Sequence, residues 1–268
     1  MTRRCQTVRM RALWQELTDL VLPGGCAGCG ALRASRRLCD HCRQRLRRPR
    51  ARRVRPSSAP EGLPAVHAAL SYADEARSVL LAHKERGALP LAEPLGFALA
   101  GGVRAAVAAG GRGPAGSLLL VPVPSARRSV AARGHDPVRR IALAAATVLR
   151  RDGVAARMAP VLRQRRIVAD QTALTADGRA VNLRGALETA PGSGLLLSPD
   201  GPSAVEIVVV DDLITTGASL AEASRAVAEL TGRPPLAAVV AAPARSCRRR
   251  PVVARDTGDS HPIVGTCR

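Results

Sequence analysis

A chain of 268 residues with 46% hydrophobic content can bury a substantial core. With only 1% aromatics, that core must be filled by leucine, valine and alanine, which suits alanine-rich helices better than a large β-sandwich. The formal charge of +20 favours polyanionic partners, and it is uneven: residues 1–55 hold fifteen arginines against Glu16, Asp19 and Asp40, a net of +12.

In chain order, Ala12 to Leu22 carries Leu13, Leu17, Leu20 and Val21 at helical spacing before Pro23-Gly24-Gly25, which predicts a short amphipathic helix. Gln15, Glu16 and Asp19 interrupt this stretch, so it reads neither as a signal peptide nor as a membrane span. No other run is long enough to cross a membrane, and a cytoplasmic protein is expected. Two cysteine pairs follow, Cys26-x2-Cys29 and Cys39-x2-Cys42. Four thiolates within seventeen residues suit one tetrahedral zinc, a structural metal that would stabilise a segment too small for a core of its own. This usage fits a reducing compartment better than a disulfide framework, and His41 reads as an exposed neighbour of the ligands. The stretch from Arg47 to Ala65 is rich in Arg, Pro and Ser, which is a linker composition. The expected organisation is therefore a four-cysteine zinc module over 10–48, a linker over 49–65, and a larger domain beyond.

From Val66 the pattern changes to apolar strands alternating with alanine-rich helices. It predicts a strand at 66–72, helices at 74–86 and 91–109, a strand at 117–121, a helix at 137–151 and a short strand near 158–162. A polar segment over 163–182 precedes a strand at 205–210, a helix at 218–231 and a strand at 236–241. This alternation predicts an α/β domain over 66–242 built on a mostly parallel sheet, with its ligand site outside the carboxyl ends of the strands. Residues 243–268 lack periodicity and are expected to form a disordered tail.

The segment EIVVVDDLITTGASL, residues 206–220, carries the most chemistry. An apolar strand runs into Asp211-Asp212, then Thr215-Thr216-Gly217, then a helix starting near Ala218. Helix-terminal N–H groups, the hydroxyls of Thr215, Thr216 and Ser219, and a glycine that permits close approach make an anion site for a phosphate. The carboxylates would repel that phosphate if they faced it. They are better placed to accept hydrogen bonds from two vicinal ribose hydroxyls. A second apolar strand, Leu118 to Val121, ends in Pro122-Val123-Pro124-Ser125, a rigid polar loop whose Arg127, Arg128 and Arg133 suit pyrophosphate oxygens. Lys84, the only lysine in the chain, ends a predicted helix in LLAHKERG, where a compact ammonium suits a phosphate contact.

The 206–220 segment resembles the fingerprint of the type I phosphoribosyltransferases. The likeness implies that Asp211 and Asp212 bind ribose hydroxyls while Thr215, Thr216, Gly217, Ala218 and Ser219 hold a 5-phosphate. The Pro122–Gly134 segment resembles the pyrophosphate loop of the ComF family, the competence branch of those transferases, although His135, Asp136 and Pro137 stand where the branch usually has Phe, Asn and Gln. Gln171, Arg179 and Asn182 repeat the branch's Q-x7-R-x2-N frame where a mobile loop is expected to close over substrate. The helix-ending Lys84 and the four-cysteine module also match that branch. The resemblance covers residues 10 to about 242. It implies binding of phosphoribosyl pyrophosphate with Mg²⁺, or of a nucleotide, and transfer of a phosphoribosyl group to a base. The alternative is a non-enzymatic DNA-uptake factor that binds single-stranded DNA through its basic amino-terminal region and senses a nucleotide. Tyr72 and Phe97 are the only rings of the larger domain available to stack on a base.

Overall fold

A computed structural model of the chain describes residues 25–32, 37–111, 116–165, 182–197 and 205–244. The predicted helix at 12–22, Gln171, Arg179 and nearly all of the predicted tail lie outside these residues. The described elements are α1 (Asp40–Arg47), β1 (Arg52–Val54), β2 (Val66–Ser71), α2 (Asp74–Glu85), α3 (Ala92–Ala109), β3 (Ser117–Pro122), α4 (Arg127–Arg133) and α5 (Pro137–Arg151). They continue with β4 (Ala156–Met158), β5 (Leu162–Gln164), β6 (Leu187–Thr189), α6 (Gly194–Leu197), β7 (Val205–Leu213), α7 (Ala218–Thr231) and β8 (Leu236–Ala242).

Six strands form one sheet in the order β1-β2-β8-β7-β3-β4, parallel throughout except for β1, which runs antiparallel to β2 along one edge. The fold class is thus α/β with a mostly parallel sheet, as the alternation of strands and helices predicts. The central strands β7 and β8 are apolar on both faces because helices cover both. Period-2 alternation divides β7 between two cores: Val208 and Val210 face α3 and α5, while Ile207 and Val209 face α7 and the β5–β6 hairpin. Asp212, further along β7, lies on the side covered by α2, where Lys84 reaches it.

Helix α3 is the apolar centre of the first layer. With the short 3₁₀ turn before it, Leu89–Ala109 is long and apolar enough to cross a membrane by length and composition, which the sequence reading did not anticipate. Its apolarity is accounted for by packing: Leu95, Ala98, Leu99 and Val103 are fully buried in a layer shared with α5 and the sheet. Removing one such side chain, as in Leu99→Ala, is expected to cost about 2–5 kcal/mol.

Two differences from the sequence reading lie ahead of Val66. The stretch expected as a linker contains β1, pairing Arg52 with Ala68 and Val54 with Val66, and Val54 is buried in the second core. The four-cysteine segment is not a separate body either. Cys26, Leu38, Cys42 and Leu46 belong to the same buried cluster as α3 and α5. Arg47 lies over the Phe97 ring at 4.7 Å from its centroid, so Phe97 serves this contact rather than stacking on a base. Gly101 of α3 accepts Pro49 so closely that a Cβ there would stand 2.3 Å from Pro49 Cγ. Composition hid this docking because a three-residue edge strand needs only one apolar side chain.

Elsewhere the short strand expected near 158–162 is two strands, β4 and β5. The β5–β6 hairpin and α6 arise within stretches read as polar or left unassigned.

Candidate functional site

The four cysteine sulfurs converge within 4.8 Å of one another, and none is in a disulfide. Cys29 Sγ and Cys39 Sγ stand 3.6 Å apart. Sulfurs sharing one tetrahedral zinc at about 2.3 Å would be separated by about 3.8 Å, so this donor set fits a single metal ion. Burial opposes ionisation of Cys26, yet N–H donors from Cys29, Cys39 and Gly28 bring its pKa down to about 6. Burial and the neighbouring Cys39 and Cys26 sulfurs push Cys42 the other way. Among themselves the thiols cannot all ionise; a shared cation would relieve them. Gly28 explains part of the tight turn, since a Cβ there would meet Cys42 Sγ at 2.8 Å.

The second constellation lies at the carboxyl ends of β7 and β3. Asp211 and Asp212 sit on β7 itself, which continues three residues past its predicted end to Leu213. Asp212 is buried, and its backbone N–H donates to Asp211 Oδ1 at 2.8 Å. Burial and then the adjacent Asp212 charge push Asp211 well above the usual carboxylate range. Lys84 Nζ donates to Asp212 Oδ2 at 2.8 Å. Burial works against the Lys84 charge, but the Asp212 and Asp211 carboxylates outweigh it and raise its pKa. The lone lysine therefore ends as a counter-ion to the acid pair, a contact 128 residues apart in sequence.

Beyond Leu213 the chain turns through Thr215, which is exposed, and Thr216, whose Oγ1 accepts from the Ala218 N–H at 3.3 Å. Gly217 caps α7 with φ of +85°, a conformation that disfavours side chains, and any Cβ would strike Leu63 Cδ2 at 2.8 Å. The glycine is thus demanded twice, by its backbone angle and by the packed leucine. Thr215, Thr216, Gly217, Ala218 and Ser219 surround the first turn of a 14-residue helix, where the positive end of the helix dipole lies.

On the neighbouring strand, Val123 N–H donates to Val210 O at 2.9 Å and so extends the β3–β7 ladder into the Pro122–Ser125 loop. Half of the region expected as a loop is helix α4, which exposes Arg127 and Arg128. Ser125 Oγ donates to Asp136 Oδ1 at 3.2 Å, and Asp136 also accepts from the Arg139 N–H as the cap of α5. His135, Asp136 and Pro137 thus form a helix start, with a capping carboxylate and a proline in the first turn. Arg133 is engaged in a two-point ion pair with Glu85, Nε to Oε2 at 3.0 Å and Nη2 to Oε1 at 2.8 Å. His135 Nε2 lies 3.2 Å from the His83 carbonyl oxygen.

Three consecutive residues at the end of α2, His83, Lys84 and Glu85, therefore reach His135, Asp212 and Arg133. Sequence reasoning singled out Lys84, Asp212 and Arg133 but not Glu85. Its only signal was adjacency to the lone lysine. Asn182, on the chain leading into β6, is half-buried and has a polar or electrostatic partner of its own.

Away from this site, a cleft of about 640 Å³ runs between α1 and the start of α2, lined by Arg45, Arg48, Arg50 and Arg52 together with Asp74 and Glu75. Arg45 approaches Glu75 at 3.7 Å. Comparison with protein-family models and with curated proteins returns no match for this chain.

Proposed function

We propose that this chain is a phosphoribosyltransferase-like protein that binds phosphoribosyl pyrophosphate or a nucleotide at the carboxyl ends of β3 and β7. The observation that carries this reading is the meeting of the acid pair with the proline-arginine loop on adjacent parallel strands, tied together by Lys84 and Glu85. In this reading the phosphate lies at the first turn of α7, against Thr215 to Ser219, where N–H groups and hydroxyls can donate to it. Asp211 and Asp212 then accept hydrogen bonds from the ribose hydroxyls. The pyrophosphate group lies along Pro122 to Arg133. Mg²⁺ bound with it would neutralise leaving-group charge.

In the transfer, the C1–O bond to pyrophosphate breaks as a C1–N bond to a base forms, and the base nitrogen gives up its proton. The protein's part is positioning and electrostatic stabilisation of departing pyrophosphate. The four-cysteine cluster holds a structural zinc in this account, and its reduced thiols are in keeping with a cytoplasmic setting. The test is pyrophosphate release from phosphoribosyl pyrophosphate and Mg²⁺ across a panel of nucleobases: at least one base should stimulate release in the intact chain. No stimulation by any base would leave binding without transfer.

A second reading is favoured by the arginine-lined cleft between α1 and α2. In it the basic amino-terminal region carries single-stranded DNA and the nucleotide site is a sensor, as in a competence factor. The described residues of that region include no Phe, Tyr or Trp to stack on bases, and the nearby Phe97 of α3 is covered by Arg47. Backbone contacts would dominate, and binding should weaken steeply with salt.

A further inference from the structure

The end of α2 touches both loops of the candidate site through neighbouring residues. Lys84 holds Asp212 of the ribose side, and Glu85 holds Arg133 of the pyrophosphate side. The two contacts differ in exposure: the Asp212 side chain is only 7% exposed, whereas Glu85 is 48% exposed. The first is a buried counter-ion contact whose removal would leave carboxylates uncompensated. The second is a planar, two-point arginine–carboxylate pair in contact with water, the geometry an arginine would equally offer to a phosphate.

Resting on the pyrophosphate-loop reading, we propose that Glu85 is a latch on Arg133: it occupies the guanidinium in the ligand-free protein and yields it when a pyrophosphate group arrives. Arg133 closes helix α4, and its carbonyl and the following residues are fixed by His135 and by the Asp136 cap of α5. The backbone is therefore anchored while the side chain is free to exchange one anionic partner for another. The incoming group brings greater charge than one carboxylate and so displaces it. Glu85 then acts as a positioning residue: it pre-orients the arginine and sets how much pyrophosphate must compete against.

The experiment is calorimetric titration of the full chain with inorganic pyrophosphate, for wild type, Glu85→Gln, Arg133→Lys and the double variant. Glu85→Gln should bind pyrophosphate about two- to tenfold more tightly than wild type, since an amide no longer competes for the guanidinium. Its ligand-free melting temperature should stay equal or fall. Arg133→Lys should bind more weakly, because the two-point geometry is lost, and adding Glu85→Gln to it should restore little. Tighter binding without any gain in stability is what a purely structural pair would not give. Wild-type binding with Glu85→Gln unchanged or weaker overturns the latch and leaves the site reading intact. Absence of pyrophosphate binding in every variant, wild type included, overturns both.

Discussion

The cysteine knuckle and the acid pair both gather anionic groups into a small space, yet they resolve the repulsion differently. At the knuckle, four sulfurs within 4.8 Å are met by backbone N–H groups and by one another, and a cation must come from outside. At the end of β7 the chain supplies its own cation, with Lys84 at 2.8 Å from Asp212. A metal ion can satisfy four ligands at once. A single ammonium neutralises one carboxylate and leaves Asp211 to rise. Charge compensation at the knuckle therefore depends on an external ion, whereas at the acid pair it is built into the chain but incomplete.

The largest expected effect follows from the first half of that contrast. Stripping the metal with a chelator, or Cys42→Ser, should lower the melting temperature of the whole chain and not of the amino-terminal segment alone, because Cys42 and Leu46 share a core with α3. Structural zinc contributes on the order of 10 kcal/mol to small zinc-folded peptides, so even a fraction of it would shift melting by more than about 5 °C. Elemental analysis of protein purified without chelator should give about one zinc per chain. Unchanged melting after complete removal would break the comparison at once.

A smaller loss is expected at the acid pair. Lys84→Met keeps the packing of the stem but leaves Asp212 buried beside Asp211 without its ammonium. The loss should be about 1–3 kcal/mol by denaturant titration, less than for a fully buried pair because 35% of the Lys84 side chain is exposed. Asp212→Asn combined with Lys84→Met should recover much of it, since both charges then go together.

Smaller again, and opposite in sign, is the effect of Asp211→Asn. A folded-state pKa raised above the unfolded value near 3.8 means that the native state binds the proton more tightly. The acid's contribution is therefore favourable at low pH and is lost as pH rises. The asparagine variant should be more stable than wild type at neutral pH, by a few degrees in melting temperature, and the gain should vanish toward pH 4. A gain independent of pH would show that packing, not ionisation, sets the difference.

How much of this was legible in the sequence follows the same division. Local spacing names the four sulfurs that the fold brings together, and the strand–acid–threonine–glycine order places Asp211 to Ser219 at the end of a strand and the start of a helix, as the structure has them. What the residues could not disclose is long-range. Lys84 reads as a phosphate contact because it is the lone lysine, but its neighbour in space is Asp212, 128 residues away. Arg133 reads as a free ligand for pyrophosphate, yet Glu85 holds it across 48 residues. The edge strand Arg52–Val54 was hidden by its arginines, because its hydrogen bonds to β2 are made by the backbone and are blind to side-chain composition. The Asp136-Pro137 helix start was local and readable, a capping carboxylate followed by a proline in the first turn.

The most direct measurement is a calorimetric titration of phosphoribosyl pyrophosphate with Mg²⁺ into the wild-type chain and into Asp211→Asn/Asp212→Asn. Saturable binding to wild type at about one site per chain is expected, weakened by at least about tenfold in the double variant, through loss of the charge-assisted hydroxyl acceptors. A double variant that folds and binds with wild-type affinity, or a wild-type chain that takes up no phosphoribosyl pyrophosphate, would contradict the assignment of this site.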